Sequence, residues 1–125
     1  VDKNAVLVIG NKVGMSSVAI VARLKVVIGD NVKIGGGTCI YDTDFHSLNF
    51  KERIDPDVDK IKTIQKPVII GNNVFIGAHT TILKGVSIGD NSIVGACSVV
   101  AKSIPSGEIW GGNPARLIKK IEESE

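Results

Sequence analysis

The chain has 125 residues, 43% of them hydrophobic but only 4% aromatic, with 14 glycines and a formal net charge of +2. That length suits one domain, the small charge argues against a nucleic-acid partner, and no apolar run is long enough to span a membrane. No signal-peptide layout stands at the start, and Cys39 and Cys97 form no recognisable motif, so a reducing, cytoplasmic home is the default. The chain opens on Val1 rather than methionine, which leaves upstream coils or a helix open.

In chain order, the first pattern is Ile9, Met15 and Val21, six residues apart. Ile28, Ile34 and Ile40 keep the spacing one residue out of phase, which predicts an insertion near Val26 or Val27, or a looser first coil. From Ile70 the beat is unbroken: Ile70, Ile76, Ile82, Ile88, Val94 and Val100. A small residue usually follows the anchor (Gly71, Gly77, Gly89, Gly95, Ala101), and a small or β-branched one stands four positions after it. A helix repeats near 3.6 and a strand near 2, so neither explains six; hexad self-similarity marks a parallel β-helix. A β-sandwich would instead place turns every 8–12 residues. Each anchor points into a core, and each corner needs a residue that tolerates the left-handed region. Asn31, Asn73 and Asn91, three past an anchor, suit that role.

Between the two runs lies YDTDFHSLNFKERIDPDVDKIKTIQKP, charged, without the beat, and holding one of the two histidines. It predicts a long inserted loop over 42–66, and long loops in compact folds commonly carry function. The beat stops at Pro105. In the tail over 105–125, Asn113 as cap, Pro114 in the first turn, and Leu117, Ile118 and Ile121 on one stripe predict a short C-terminal helix. Such a helix would cap one end of a solenoid, whose coils otherwise expose apolar surface and strand edges. The fold expected is thus all-β: one domain over 1–125, a parallel β-helix of hexads with an inserted loop and a terminal helix. The slim core invites partner chains, and a closed ring of copies would bury more apolar surface.

The hexads, the segment IGNNVFIGAHTTILKGVSIGDNSIVGACSVVAKSIP and the ending GGNPARLIKKI resemble the hexapeptide-repeat acyltransferases, nearest the maltose and galactoside O-acetyltransferases and the capsule or lipopolysaccharide O-acetyltransferases. The resemblance implies a left-handed parallel β-helix, a homotrimer with sites between subunits, acetyl-CoA as cosubstrate, and a sugar-like acceptor. It also implies that His46, in Asp42-Thr43-Asp44-Phe45-His46, is the general base. A neutral imidazole takes a proton from a hydroxyl near neutral pH, and a carboxylate, Asp44 or Asp42, would hold the ring in the useful tautomer.

For the donor, the resemblance places the pantetheine arm against Gly77, Ala78, Gly95 and Ala96, where small side chains admit a ligand to the backbone; these glycines also turn corners. Lys102, Arg116 and Lys119 occupy positions that meet the phosphate end, with Arg116 the best fork for a phosphate. Near the acceptor, Ser16 or Ser17 stands where the family carries an asparagine, and Ser17 is taken as the hydrogen-bond donor to acceptor or oxyanion. Phe75 stands where many relatives carry tryptophan. Trp110 either lines the donor cleft or anchors the tail, and Phe45 and Phe50 are loop aromatics able to stack on a sugar.

His79, three past Ile76, reads as a surface corner residue. A zinc site of the γ-carbonic-anhydrase kind needs three protein ligands and there are two histidines, so no metal is expected. Transfer to an amino sugar or a xenobiotic, and a silent β-helix scaffold, stay open as alternatives.

Overall fold

A short strand alternates its side chains, so a chain that runs straight, turns a corner and runs again brings the same face inward every sixth residue. The computed structural model describes residues 1–122, and in it the hexads form stacked three-sided coils. The first coil holds β1 (Val6–Ile9), β2 (Gly14–Met15) and β3 (Ala19–Val21), and the second β4 (Lys25–Ile28), β5 (Lys33–Ile34) and β6 (Cys39–Tyr41). The third holds β7 (Val68–Ile70), β8 (Phe75–Ile76) and β9 (Thr81–Ile82), and the fourth β10 (Ser87–Ile88), β11 (Ile93–Val94) and β12 (Val99–Val100). Each strand pairs in parallel with its counterpart one coil away, giving three sheets that form the faces of a prism.

The anchors fill the prism. Ile28, Ile40, Ile70, Ile76, Ile82, Ile88, Val94 and Val100 are all fully or almost fully buried. Each is worth roughly 1.5–3 kcal/mol of burial. From Val74 to Ile104 the positions four past an anchor are also buried, and the polar ones are satisfied: Thr80 Oγ1 and Ser98 Oγ both donate to the Gly95 carbonyl, and Ser92 Oγ donates to that of Pro105. Asn31, Asn73 and Asn91 take φ of 56°, 58° and 66° on the edge between the first and second sheets, in the expected left-handed region. The next edge repeats the device with Ser17, Gly37, His79 and Cys97.

The phase slip resolves differently from its expectation. Ile9 pairs with Ile28 and Met15 with Ile34, but it is Ile20, not Val21, that pairs with Ile40. The extra residues sit at the corner between β3 and β4, ahead of Val26 rather than beside it. The fully buried carboxylate of Asp42 holds that corner. It accepts hydrogen bonds from the backbone N–H of Arg23, Leu24 and Lys25 at 2.7–3.0 Å.

Two other expectations are corrected. The tail does not form a helix over its described part, and 123–125 lie outside the described residues. β13 (Glu108–Gly112) extends the second sheet beside β11, and β14 (Ala115–Lys120) folds back antiparallel on it across the two-residue turn Asn113-Pro114. The free edge of β13 offers β14 ladder hydrogen bonds, and the glycines ahead of Asn113-Pro114 suit a reversal more than a helix start. Trp110 stacks above Val94 against the core and donates its indole N–H to Glu108, so it anchors the tail. The segment after β6 is also less irregular than expected. It contains α1 (Phe50–Arg53), capped by Asn49, and α2 (Pro56–Lys62), capped by Asp55 with Pro56 in the first turn. An isolated bridge between Thr43 and Gln65 closes its base.

Candidate active site

The excursion after β6 builds one polar constellation. Past Asp42, the N–H of Phe45 bonds to Thr43 Oγ1 at 3.1 Å and Phe45 takes φ of 66°. This tight turn throws the next side chain, His46, outward; its ring is 69% exposed. His46 Nδ1 lies 2.6 Å from Asp59 Oδ2, and the other Asp59 oxygen accepts the Ser47 N–H at 2.6 Å. Asp59 is the one buried residue of α2. Ser47 is buried as well, its hydroxyl donating to Glu52 at 2.6 Å and its carbonyl accepting from Arg53 at 2.8 Å.

The electrostatics follow from these contacts. The bond to His46, and then the Ser47 N–H, hold the Asp59 carboxyl below the usual carboxylate range. An ionised carboxylate only accepts hydrogen bonds, so a neutral His46 ring in this contact holds its proton on Nδ1 and leaves Nε2 as the acceptor. That is the tautomer a general base needs.

His46 and Asp59 open on a cleft of about 700 Å³, lined also by Arg23, Phe45, Lys60 and Gln65. Phe45 does not lie free for a sugar. The Arg23 guanidinium sits over its ring at 5.3 Å, and Tyr41 meets it edge-on at 5.0 Å between centroids. Phe50, on α1, is exposed beside Lys51.

Neither expected carboxylate reaches His46. Asp42 is occupied with the corner of the neighbouring coil. Asp44 Oδ1 pairs with Lys84 at 2.9 Å, while its Oδ2 is buried without a hydrogen-bond partner among the described residues. Asp59 takes the place expected for Asp44. A sequence signal for it existed: Asp55-Pro56 starts a helix, and Asp59 lies one turn in, aimed back at the chain entering the excursion.

The residues expected to meet the donor lie elsewhere, and not all together. Gly77, Ala78, Gly95 and Ala96 line the edge between the second and third sheets, with exposed Ser17 and His79 on the same edge. Arg116 pairs with Gly111, which continues the glycine column one coil beyond Gly95, so Arg116 stands at the end of this strip. Lys119 is further along β14, beside Ile93 and Ile109 at a shallow groove of about 530 Å³. Lys102 follows β12 on the opposite edge and is separated from the other two. A Cβ on Gly77 would fall 2.5 Å from the Ala96 backbone nitrogen, so that glycine is required by coil stacking; at Gly95 the nearest atom is 3.7 Å away, an ordinary contact. His46 stands on the edge between the third and first sheets. One protomer therefore does not unite it with Ser17 or with the small-residue strip. Among the described residues no three His, Cys, Asp or Glu side chains form a metal-binding group.

Residues 67–102 match the family described as bacterial transferase hexapeptide (six repeats). CapG of Staphylococcus aureus is 45% identical over 98 residues, 78% of this chain and 54% of that protein. A hexapeptide-repeat-containing acetyltransferase of Vibrio cholerae, solved in complex with acetyl coenzyme A, superposes with a TM-score of 0.83 at 34% identity, covering 94% of this chain and 61% of that one. A maltose O-acetyltransferase of Clostridium difficile gives a TM-score of 0.72 at 32% identity, covering 95% and 70%. The chain belongs to the hexapeptide-repeat transferase family. It spans about half the length of CapG.

Proposed function

We infer that this chain is an acetyl-CoA-dependent O-acetyltransferase acting on a hydroxyl of a sugar or surface-polysaccharide precursor in the cytoplasm, as a homotrimer of left-handed β-helices. The observation that carries the reading is the 2.6 Å bond from His46 Nδ1 to Asp59 at the mouth of an open cleft. Family membership supports the fold and the reaction class, and the complexed Vibrio structure supports the donor.

Acetyl-CoA supplies the acetyl group as a thioester. His46 Nε2 takes the proton of the acceptor hydroxyl as its oxygen attacks the thioester carbonyl, and returns a proton to the departing thiolate. Asp59 holds the ring and offsets the imidazolium charge between these steps. Ser17 would hydrogen-bond the acceptor or the developing oxyanion. The small-residue strip at Gly95 and Ala96, ending at Arg116, fits a pantetheine arm with a phosphate at its end; Lys119 adds a cation further along β14, and Lys102, on the edge that carries His46, would meet the donor held by the strip of a second copy. Because His46 and this strip stand on different edges, the reading requires the strip of a second copy beside His46 of the first, and a three-fold ring supplies that at every edge. No described helix is long and apolar enough to cross a membrane.

The test is release of free thiol from acetyl-CoA against a panel of sugars. Acceptor-dependent release, lost in His46→Ala, supports the reading; no release with any sugar, or release unaltered by His46→Ala, refutes it.

A further inference from the structure

Arg23 has a backbone fixed by the buried Asp42 carboxylate, at 2.9 Å to Oδ1, and a guanidinium resting on the Phe45 ring. Yet among the described residues the guanidinium donates no hydrogen bond. Its one charged neighbour, Asp2 Oδ2, lies 3.9 Å from Nε, too far for a hydrogen bond, and the Asp2 side chain is 59% exposed. A guanidinium has five N–H donors in a rigid fork, and here Arg23 lines the cleft against Phe45, the residue before His46. Lys3 and Lys60 line the same cleft, and its other carboxylate, Asp59, is committed to His46 and Ser47. The balance of unspent charge around His46 is positive.

We propose that Arg23 selects an acceptor bearing an oxyanion, a carboxylate or a phosphate, and holds that group while a hydroxyl of the same molecule reaches His46. This deepens the transferase reading and rests on it. Asp42 fixes the Arg23 backbone and the Phe45 ring holds its guanidinium, so the fork has less freedom to lose when the ligand arrives. Asp2 is the internal competitor, a weak stand-in that an incoming oxyanion displaces.

The test compares glucuronate, glucose 1-phosphate and glucose, by calorimetric binding to the intact protein and by thiol release with acetyl-CoA. A charge-assisted fork predicts tighter binding of one anionic sugar over glucose by about 10- to 100-fold. The arm that gains tells carboxylate from phosphate. Arg23→Gln should bring that ratio close to one, Arg23→Lys should restore it partly, and Asp2→Asn should raise anionic affinity. Equal binding of all three sugars, or a ratio unmoved by Arg23→Gln, overturns the proposal even if acetyl transfer proceeds. Selective binding that depends on Arg23 with no thiol release upholds it and overturns the transferase reading instead.

Discussion

The carboxylate of Asp42 and the N–H of Leu24 meet at 2.7 Å across two coils, and through this bond the acidic residue that opens the excursion also closes the irregular corner of the coil beneath it. Asp42→Ala would strand the N–H groups of Arg23, Leu24 and Lys25 together. Unmet buried donors cost about 1–3 kcal/mol each, and water reaches this corner in part, so a loss of about 3 kcal/mol is expected. Urea unfolding followed by circular dichroism measures it.

His46→Ala should lower kcat by roughly 10²–10⁴-fold, the usual contribution of a positioned base. The ring is largely exposed and outside the prism, so the melting temperature should stay within a degree or two of the parent. Steady-state thiol release and calorimetry check the two halves.

Asp59→Asn should also lower kcat, by roughly 10²-fold or more, because an amide no longer fixes the Nδ1–H tautomer. The same substitution has a pH signature. The native pKa of Asp59 is held below its ordinary 3.8, so its ionised form stabilises the fold fully above that value, and the contribution is lost as pH falls through the lower native value. The difference in urea midpoint between parent and Asp59→Asn should be steady near neutrality and should close below about pH 4. A gap no narrower at acid pH than near neutrality would refute the pairing.

Gly77→Ala and Gly95→Ala should part company. At Gly77 a Cβ meets backbone at 2.5 Å and the coils must separate, at a cost of about 2 kcal/mol or more. At Gly95 the added methyl makes ordinary contacts, so the fold should hold while the KM for acetyl-CoA rises several-fold. Melting curves beside donor titrations distinguish the two.

Arg116→Ala should raise the KM for acetyl-CoA by about tenfold, with little effect on the acceptor constant, since a phosphate loses a charge-assisted fork. An unchanged donor constant would remove Arg116 from the site.

The prism was legible in the sequence because its cause is local: an inward aliphatic every sixth residue and an asparagine at a corner mark the second, third and fourth coils, while in the first the corner residue is Lys12 and Ile9 is half-exposed. The resemblance singles out His46 through its neighbours in DTDFH. Its hydrogen-bond partner was passed over, because Asp59 sits on α2, whose cap Asp55 lies in a stretch that has no hexad beat. Asp44 is near in sequence but turned toward Lys84, and sequence proximity pointed to it wrongly. The tail misled for a related reason. Leu117, Ile118 and Ile121 fit a helical stripe, but Leu117 and Ile118 lie largely exposed on β14, which the open edge of β13 draws into a hairpin. The shift from Val21 to Ile20 escaped because spacing counts residues and cannot see a buried carboxylate that holds a wider corner.

The excursion leaves and re-enters the prism at one edge without disturbing the ladders on either side. Ile28 still pairs with Ile70 and Ile40 with Ile82, as though the arm were absent. Loop length is cheap in closure entropy, each doubling adding only about 0.6 kcal/mol. An arm clasped at its root by Thr43 and Gln65 is therefore an interchangeable part. Its length and lining can be redrawn while the scaffold that stacks the coils goes on folding as before.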